Sequence, residues 1–197
     1  MMFNDVIDLK LEDGDAIYYP GIFSKIQADS YFNILTNQLT WQQDSITLFG
    51  KTYLQPRLTA LYANNSNPYS YSNIIMQPKP FSKSLLEIKE KVDTLSEVDF
   101  TSCLANLYRN GSDSNGWHAD NEKELGDQPV IASVSFGAER YFHLKHRTKK
   151  TLKHKIKLEH GSLLLMKGTT QEHWLHQIPK TKKEIGQRIN LTFRIIV

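Results

Sequence analysis

The chain has 197 residues, 24 Lys and Arg against 21 Asp and Glu, and a formal charge of +3 at pH 7. That length suits one compact domain with a sizeable core, and 40% apolar with 23% charged residues excludes a disordered, collagen-like or membrane class. Cys103 is the single cysteine, which excludes an internal disulfide and a cysteine-built zinc site.

Residues 15–23 read as a strand ending in the Pro20-Gly21 turn. Ser24 is placed to cap a helix running to about Leu39, with Ile26, Phe32, Leu35 and Leu39 on one side. The segment 62–80 is rich in Tyr, Asn, Ser and Pro and reads as a long functional loop with short strands. A second helix is predicted from near Pro80 to about Leu95, carrying an apolar stripe of Phe81, Leu85, Ile88, Val92 and Leu95. Beyond Asp99 the texture becomes short strands between turns, with candidates at 100–108, 130–136, 140–146, 154–158, 162–166, 173–178 and 188–196. This pattern predicts a sandwich or jelly-roll barrel with the preceding helices packed on one face. The expected division is a single domain over 1–197, with helices and a lid in 15–98 and the barrel in 99–197. Cys103 falls in an apolar strand, as a packing residue does.

The modest net charge hides an asymmetry. Between 140 and 183 there are 12 basic and 2 acidic residues, which leaves 12 basic and 19 acidic residues elsewhere. Such a basic half fits either a surface that meets a polyanion or an exposed hairpin kept soluble by lysines. An apolar run such as 163–166 is far short of the roughly 20 residues that span a bilayer, so no membrane association is expected. The first five residues show no secretory pattern. With the lone cysteine, this points to an intracellular protein, cytoplasmic in a bacterium or nuclear in a eukaryote, and a monomer.

The sharpest local feature is Trp117-His118-Ala119-Asp120. In an extended segment His118 and Asp120 project to the same side and can offer nitrogen and oxygen to one metal. His176, in His173-Trp174-Leu175-His176, could supply a third ligand, and two imidazoles with one carboxylate form the facial triad of non-haem Fe(II) oxygenases. A His-x-Asp pair alone is equally what a surface histidine near a turn aspartate gives, and the same three residues could hold zinc in a hydrolase. Downstream, Arg188-Ile189-Asn190-Leu191-Thr192-Phe193-Arg194 alternates, placing Arg188, Asn190, Thr192 and Arg194 on one strand face. Two arginines facing the inside of a barrel call for anions, and a dicarboxylate cosubstrate would provide them. His143, His146, His154, His160 and His173 have no partners at ligand spacing and read as structural or surface residues.

Together, Asn106-Leu107-Tyr108, His118-Ala119-Asp120, residues 131–138 and 161–166, His176 and the strand 188–194 resemble the AlkB family of Fe(II)- and 2-oxoglutarate-dependent dioxygenases, from about Tyr18 to the C-terminus. The resemblance implies an α+β fold: a double-stranded β-helix, or jelly roll, with N-terminal helices on one face and a nucleotide-recognition lid. It implies oxidative demethylation of 1-methyladenine and 3-methylcytosine in DNA, single- or double-stranded, or in RNA, with O2 consumed, 2-oxoglutarate converted to succinate and formaldehyde released. It implies iron ligands His118, Asp120 and His176, and a 2-oxoglutarate site of Asn106, Tyr108, Arg188, Asn190 and Arg194, with Arg188 on the distal carboxylate. The flipped base would lie between Tyr71, near Tyr69, and His118, with Glu122 at its exocyclic amino group. Asn121 stands where some relatives carry a second acidic residue, which bears on base selectivity. The segment 46–51 is similar to a hairpin that wedges an aromatic residue, here Phe49, into duplex DNA. Lys51, Arg57, Lys149, Lys150, Lys182 and Lys183 are the expected nucleic-acid contacts. The rival functions are an iron oxygenase acting on RNA or protein, and an inactive nucleic-acid-binding module.

Overall fold

The computed structural model describes residues 6–48, 51–65, 69–71 and 74–196. Phe49 lies outside them, and the side chains of Tyr69 and Tyr71 likewise lie outside what is described.

The chain opens with strands β1 (Ile7–Asp8) and β2 (Asp15–Tyr19), then helix α1 (Lys25–Gln38). A hairpin of β3 (Ser45–Leu48) and β4 (Lys51–Leu54) precedes β5 (Leu58–Ala63). Three short strands follow, β6 (Tyr69–Tyr71), β7 (Ile74–Met76) and β8 (Lys79–Pro80), before helix α2 (Lys83–Ser96). The second half is β9 (Ser102–Tyr108), β10 (Asn115–His118), a single 3-10 turn (Lys123–Leu125), β11 (Ile131–Gly137) and β12 (Arg140–His146). It closes with β13 (Lys153–Leu158), β14 (Ser162–Lys167), the one-turn helix α3 (Thr170–His173), β15 (Trp174–Ile178) and β16 (Arg188–Arg194).

Two sheets face each other as a jelly roll. Among the described residues the large one has the order β1-β2-β14-β11-β16-β9-β5-β8 and the small one β10-β15-β12-β13. The large sheet takes β2 and β5 from the N-terminal half, so the division expected at residue 99 does not divide the barrel. For the same reason the expected loop from Tyr62 begins later: Tyr62 and Ala63 are buried in β5, opposite Cys103 and Ser102.

Helix α1 starts where expected because Ser24 and Gln27 cap each other reciprocally, which satisfies two otherwise orphaned backbone donors. Its buried stripe is Ala28, Leu35 and the following Leu39. Ile26 is 83% exposed, because two residues from Ala28 on a 3.6-residue turn lies on the opposite face. Helix α2 begins later than expected, at the cap Ser82, whose Oγ accepts from the Leu85 amide. Pro80 instead ends β8, paired in parallel with Ala63; lacking an N–H, it suits such an edge strand. Leu85, Ile88 and Val92 then meet the large sheet.

Alternation along β16 separates two layers. Ile189, Leu191 and Phe193 join the core beneath the helices, while Arg188, Asn190, Thr192 and Arg194 turn into the space between the sheets. Gly137 makes the close approach to this strand possible: at φ +83°, a Cβ there would collide with the Gln187 carbonyl and the Phe32 ring. Cys103 is fully buried in the helix-side core, and burial pushes its thiol up. No helix among the described residues is long and apolar enough to cross a membrane.

Candidate active site

His118 and His176 are direct cross-strand neighbours on β10 and β15. A register shift between Asn115 and His118 breaks the regular ladder just before the pair. Asp120 follows two residues beyond His118, and the ligand atoms of the three side chains lie within 4.8 Å of one another. The ring centroids of the two histidines are 4.3 Å apart. His118 Nδ1 donates to the Gly116 carbonyl at 2.7 Å, while Nε2 accepts from Asn115 Nδ2 at 3.1 Å. A carbonyl only accepts, so the proton sits on Nδ1 and the Nε2 lone pair is the one offered to a metal. His176 is stacked on Phe142 at 5.1 Å.

The electrostatics keep this cluster in its ligating form. Burial holds His118 below its ordinary value, and burial takes His176 down to about 3, so both rings are neutral at physiological pH. Burial pushes the Asp120 carboxyl up, but Arg194 together with the neighbouring His176 and His118 outweighs it and holds the group below the usual carboxylate range. Asp120 is therefore ionised. Its backbone N–H is held by Gln171 Oε1 at 3.0 Å, and Gln171 is itself 1% exposed.

The same cavity is lined by Asn106, Tyr108, Arg188, Asn190 and Arg194. Arg57 Nε donates to Asn106 Oδ1 at 2.8 Å, and Asn190 Nδ2 donates to Ser133 Oγ at 2.8 Å, so both amides are fixed. Arg188 is 1% exposed; Nη2 donates to Ser135 Oγ at 2.9 Å, and the Tyr108 ring lies 5.2 Å from its guanidinium carbon. Among the described residues its Nε and Nη1 have no hydrogen-bond partner. Burial lowers this guanidinium to about 10, yet it stays charged at neutral pH. A buried cation with two unmet donors is costly unless an anion meets it, and a carboxylate matches the guanidinium fork. The donor set thus fits both groups: nitrogen and carboxylate for Fe(II), and a cationic fork for a dicarboxylate such as 2-oxoglutarate. A hydrolytic zinc site would leave those donors unmet.

The remaining predicted residues divide. Glu122, two residues beyond Asp120, is half-buried and occupies the N-cap position of the 3-10 turn without a side-chain capping bond. Lys51, Lys150, Lys182 and Lys183 are exposed, away from the cavity lining. Arg57 is not a surface contact: it is 4% exposed and committed to Asn106 and the Ser114 carbonyl. Lys149 is likewise not an open cation, since Glu12 and Asp13 both bind its ammonium. Sequence reasoning missed Asn115, which bonds His118 from within the same strand, and Phe142 and Gln171, which only folding brings to the site. His160 is structural as expected, accepting from the Gly137 amide at 2.8 Å.

Comparison with known proteins agrees with this geometry. The 2OG-Fe(II) oxygenase superfamily matches residues 15–194. Alpha-ketoglutarate-dependent dioxygenase alkB homolog 3 of Bos taurus is 41% identical over 186 residues, which is 90% of this chain and 64% of that relative. The chain therefore spans about two-thirds of the length of that relative. DNA oxidative demethylase ALKBH2 of Mus musculus is 35% identical over 94% of this chain and 82% of its own length. The structure of OsALKBH1 shares the fold, with a TM-score of 0.68 at 17% identity, covering 97% of this chain and 100% of that one. On these matches the chain belongs to the AlkB family of 2OG-Fe(II) oxygenases.

Proposed function

We propose that this protein is an Fe(II)- and 2-oxoglutarate-dependent dioxygenase that oxidatively demethylates N-alkylated bases in nucleic acid, 1-methyladenine and 3-methylcytosine foremost, and so repairs alkylation damage. The observation that carries the reading is the buried Arg188 fork, with two unmet donors, in the same cavity as His118, Asp120 and His176. The names of the relatives support the substrate class: one is called a DNA oxidative demethylase.

Iron and 2-oxoglutarate with O2 supply the oxidising power, so that 2-oxoglutarate leaves as succinate and CO2 and the methyl carbon leaves as formaldehyde. The chain supplies the rest. His118 Nε2, Asp120 and His176 would hold the metal, a ligand set that leaves it able to take a cosubstrate. Arg188 would bind the distal carboxylate, and Asn106, Tyr108, Asn190 and Arg194, which line the same cavity, would contact the remainder. Phe142, Ile131 and Ile178 make the wall apolar and limit water near the reacting centre. Tyr69, Tyr71 and Glu122 are proposed to receive the base, which must leave its stack to reach the site.

Incubation with Fe(II), 2-oxoglutarate and matched methylated DNA and RNA oligonucleotides, read by product mass, tests this. Loss of the methyl group from DNA is expected, with RNA the second substrate. Full retention of the methyl group on both would overturn the reading.

A further inference from the structure

The four-stranded sheet has a second face. His118, His176, Phe142 and Leu144 point inward, and the alternate residues point outward: Trp117 on β10, Tyr141, His143 and Lys145 on β12, and Lys153, Lys155 and Lys157 on β13. Cross-strand register sets Tyr141 opposite Lys157, His143 opposite Lys155, and Lys145 opposite Lys153. Trp117 keeps 40% and Tyr141 47% of its surface open. Lys145 Nζ lies 4.3 Å from the centre of the Trp117 ring, and Lys155 Nζ lies 3.8 Å from that of Tyr141. Lys157 is held by Glu139 and Glu159. Among the described residues no carboxylate pairs with Lys145, Lys153 or Lys155. Two shallow grooves meet at His143 and Lys155, and Lys180 and Lys183 border the second.

Lysines on β13 have one ordinary use, since they blunt an exposed sheet edge against pairing with other chains. That use needs no aromatic residues, and large exposed rings work against solubility. Rings and cations without carboxylate partners, interleaved on one face, match a different chemistry: aromatic platforms stack bases while cations follow the phosphates of a single strand. In a duplex the base faces are already stacked, so such a platform discriminates against it. The rings sit two strand spacings apart and one two-residue step along the sheet, roughly 12 Å by strand geometry.

We propose that the outer face of the small sheet is a platform for single-stranded nucleic acid, with Trp117 and Tyr141 stacking bases and Lys145, Lys153 and Lys155 pairing phosphates of the stretch that flanks the target nucleotide. The platform rests on the demethylase reading for its substrate, and it directs that reading toward single strands.

The test is fluorescence anisotropy of the full chain with a labelled, unmodified single strand of about 16 nucleotides and with its duplex, over a salt series. Because Trp117 adjoins His118, Tyr141 is the decisive position. Tyr141→Ala is expected to weaken single-strand binding at least about fivefold, with little change for duplex, and Tyr141→Phe to restore it. Replacing Lys145, Lys153 and Lys155 together with Gln is expected to reduce the logarithmic salt slope by about 2. All these variants should turn over a methylated trinucleotide, too short to reach the platform, as the wild type does. Wild-type binding by Tyr141→Ala, an unchanged salt slope, or equal losses on duplex would overturn the platform. A wild type that binds the strand in this Tyr141-dependent way yet leaves the trinucleotide methylated would uphold the platform and overturn the demethylase reading.

Discussion

Arg194 Nη2 donates to Asp120 Oδ1 at 2.8 Å, which commits one carboxylate oxygen and leaves Oδ2, 4.0 Å from His176 Nε2, turned toward the histidines. Both residues are buried, so the pair is screened little by solvent. Breaking a buried pair from one side costs about 3–5 kcal/mol, mainly because the other charge is stranded. Arg194→Met is therefore expected to destabilise the metal-free protein by that amount in urea unfolding. A loss below about 1 kcal/mol would show that the pair does not hold the carboxylate.

Arg188, the proposed cosubstrate ligand, keeps two unmet donors among the described residues and touches none of the three metal-ligating side chains among the described hydrogen bonds. Arg188→Gln should raise the 2-oxoglutarate concentration for half-maximal rate about 30-fold or more, the lower end of the cost of truncating a buried charge pair. Affinity for Co(II), followed by absorption, should stay near wild type. A matching fall in both would place Arg188 in metal binding instead.

Gln171 acts on Asp120 through the backbone, by accepting its N–H. Partners of metal ligands at this distance are worth about 10- to 100-fold in metal affinity. Gln171→Leu is expected to weaken Co(II) binding within that range while urea stability shows that the fold survives. Unchanged affinity would contradict the assignment.

The neutral burial of His176 makes the metal-free protein acid-sensitive. Its folded value of about 3 lies below the ordinary 6.5, so below pH 6.5 the unfolded chain binds a proton that the folded chain refuses. Stability is then complete above pH 6.5 and lost as pH falls toward 3, at up to about 1.4 kcal/mol per pH unit. Unfolding at pH 7.0 and 5.5 should show this slope, and His176→Gln should reduce it, leaving the share of His118, which burial also holds below its ordinary value. A slope unchanged by the substitution would contradict the role given to His176.

How much of this was legible in the sequence depends on the range of the interaction. The i, i+2 relation of Arg188 through Arg194 needs only a period of two, and β16 keeps it; His118 and Asp120 also converge, although β10 ends at His118 and Asp120 lies in the bend that follows. The capping box at Ser24 is equally local. Contacts set by pairing were not legible. Gln171 lies 51 residues from Asp120 in a one-turn helix with no pattern of its own. Lys149 reads as an open basic residue until folding brings up Glu12, 137 positions away. Arg57 has the composition of a phosphate contact, but the β5–β9 pairing buries it against Asn106. Ile26 failed for a local reason: one turn of helix leaves the phase of the stripe ambiguous, and Ala28 takes the inward side.

The most direct test of the central claim is formaldehyde release from a 3-methylcytosine oligonucleotide, measured together with succinate after O2 is admitted to protein, Fe(II) and 2-oxoglutarate. The wild type should release formaldehyde with at least as much succinate, and Asp120→Ala should release essentially none. No formaldehyde from the wild type, or undiminished release by Asp120→Ala, would contradict the account.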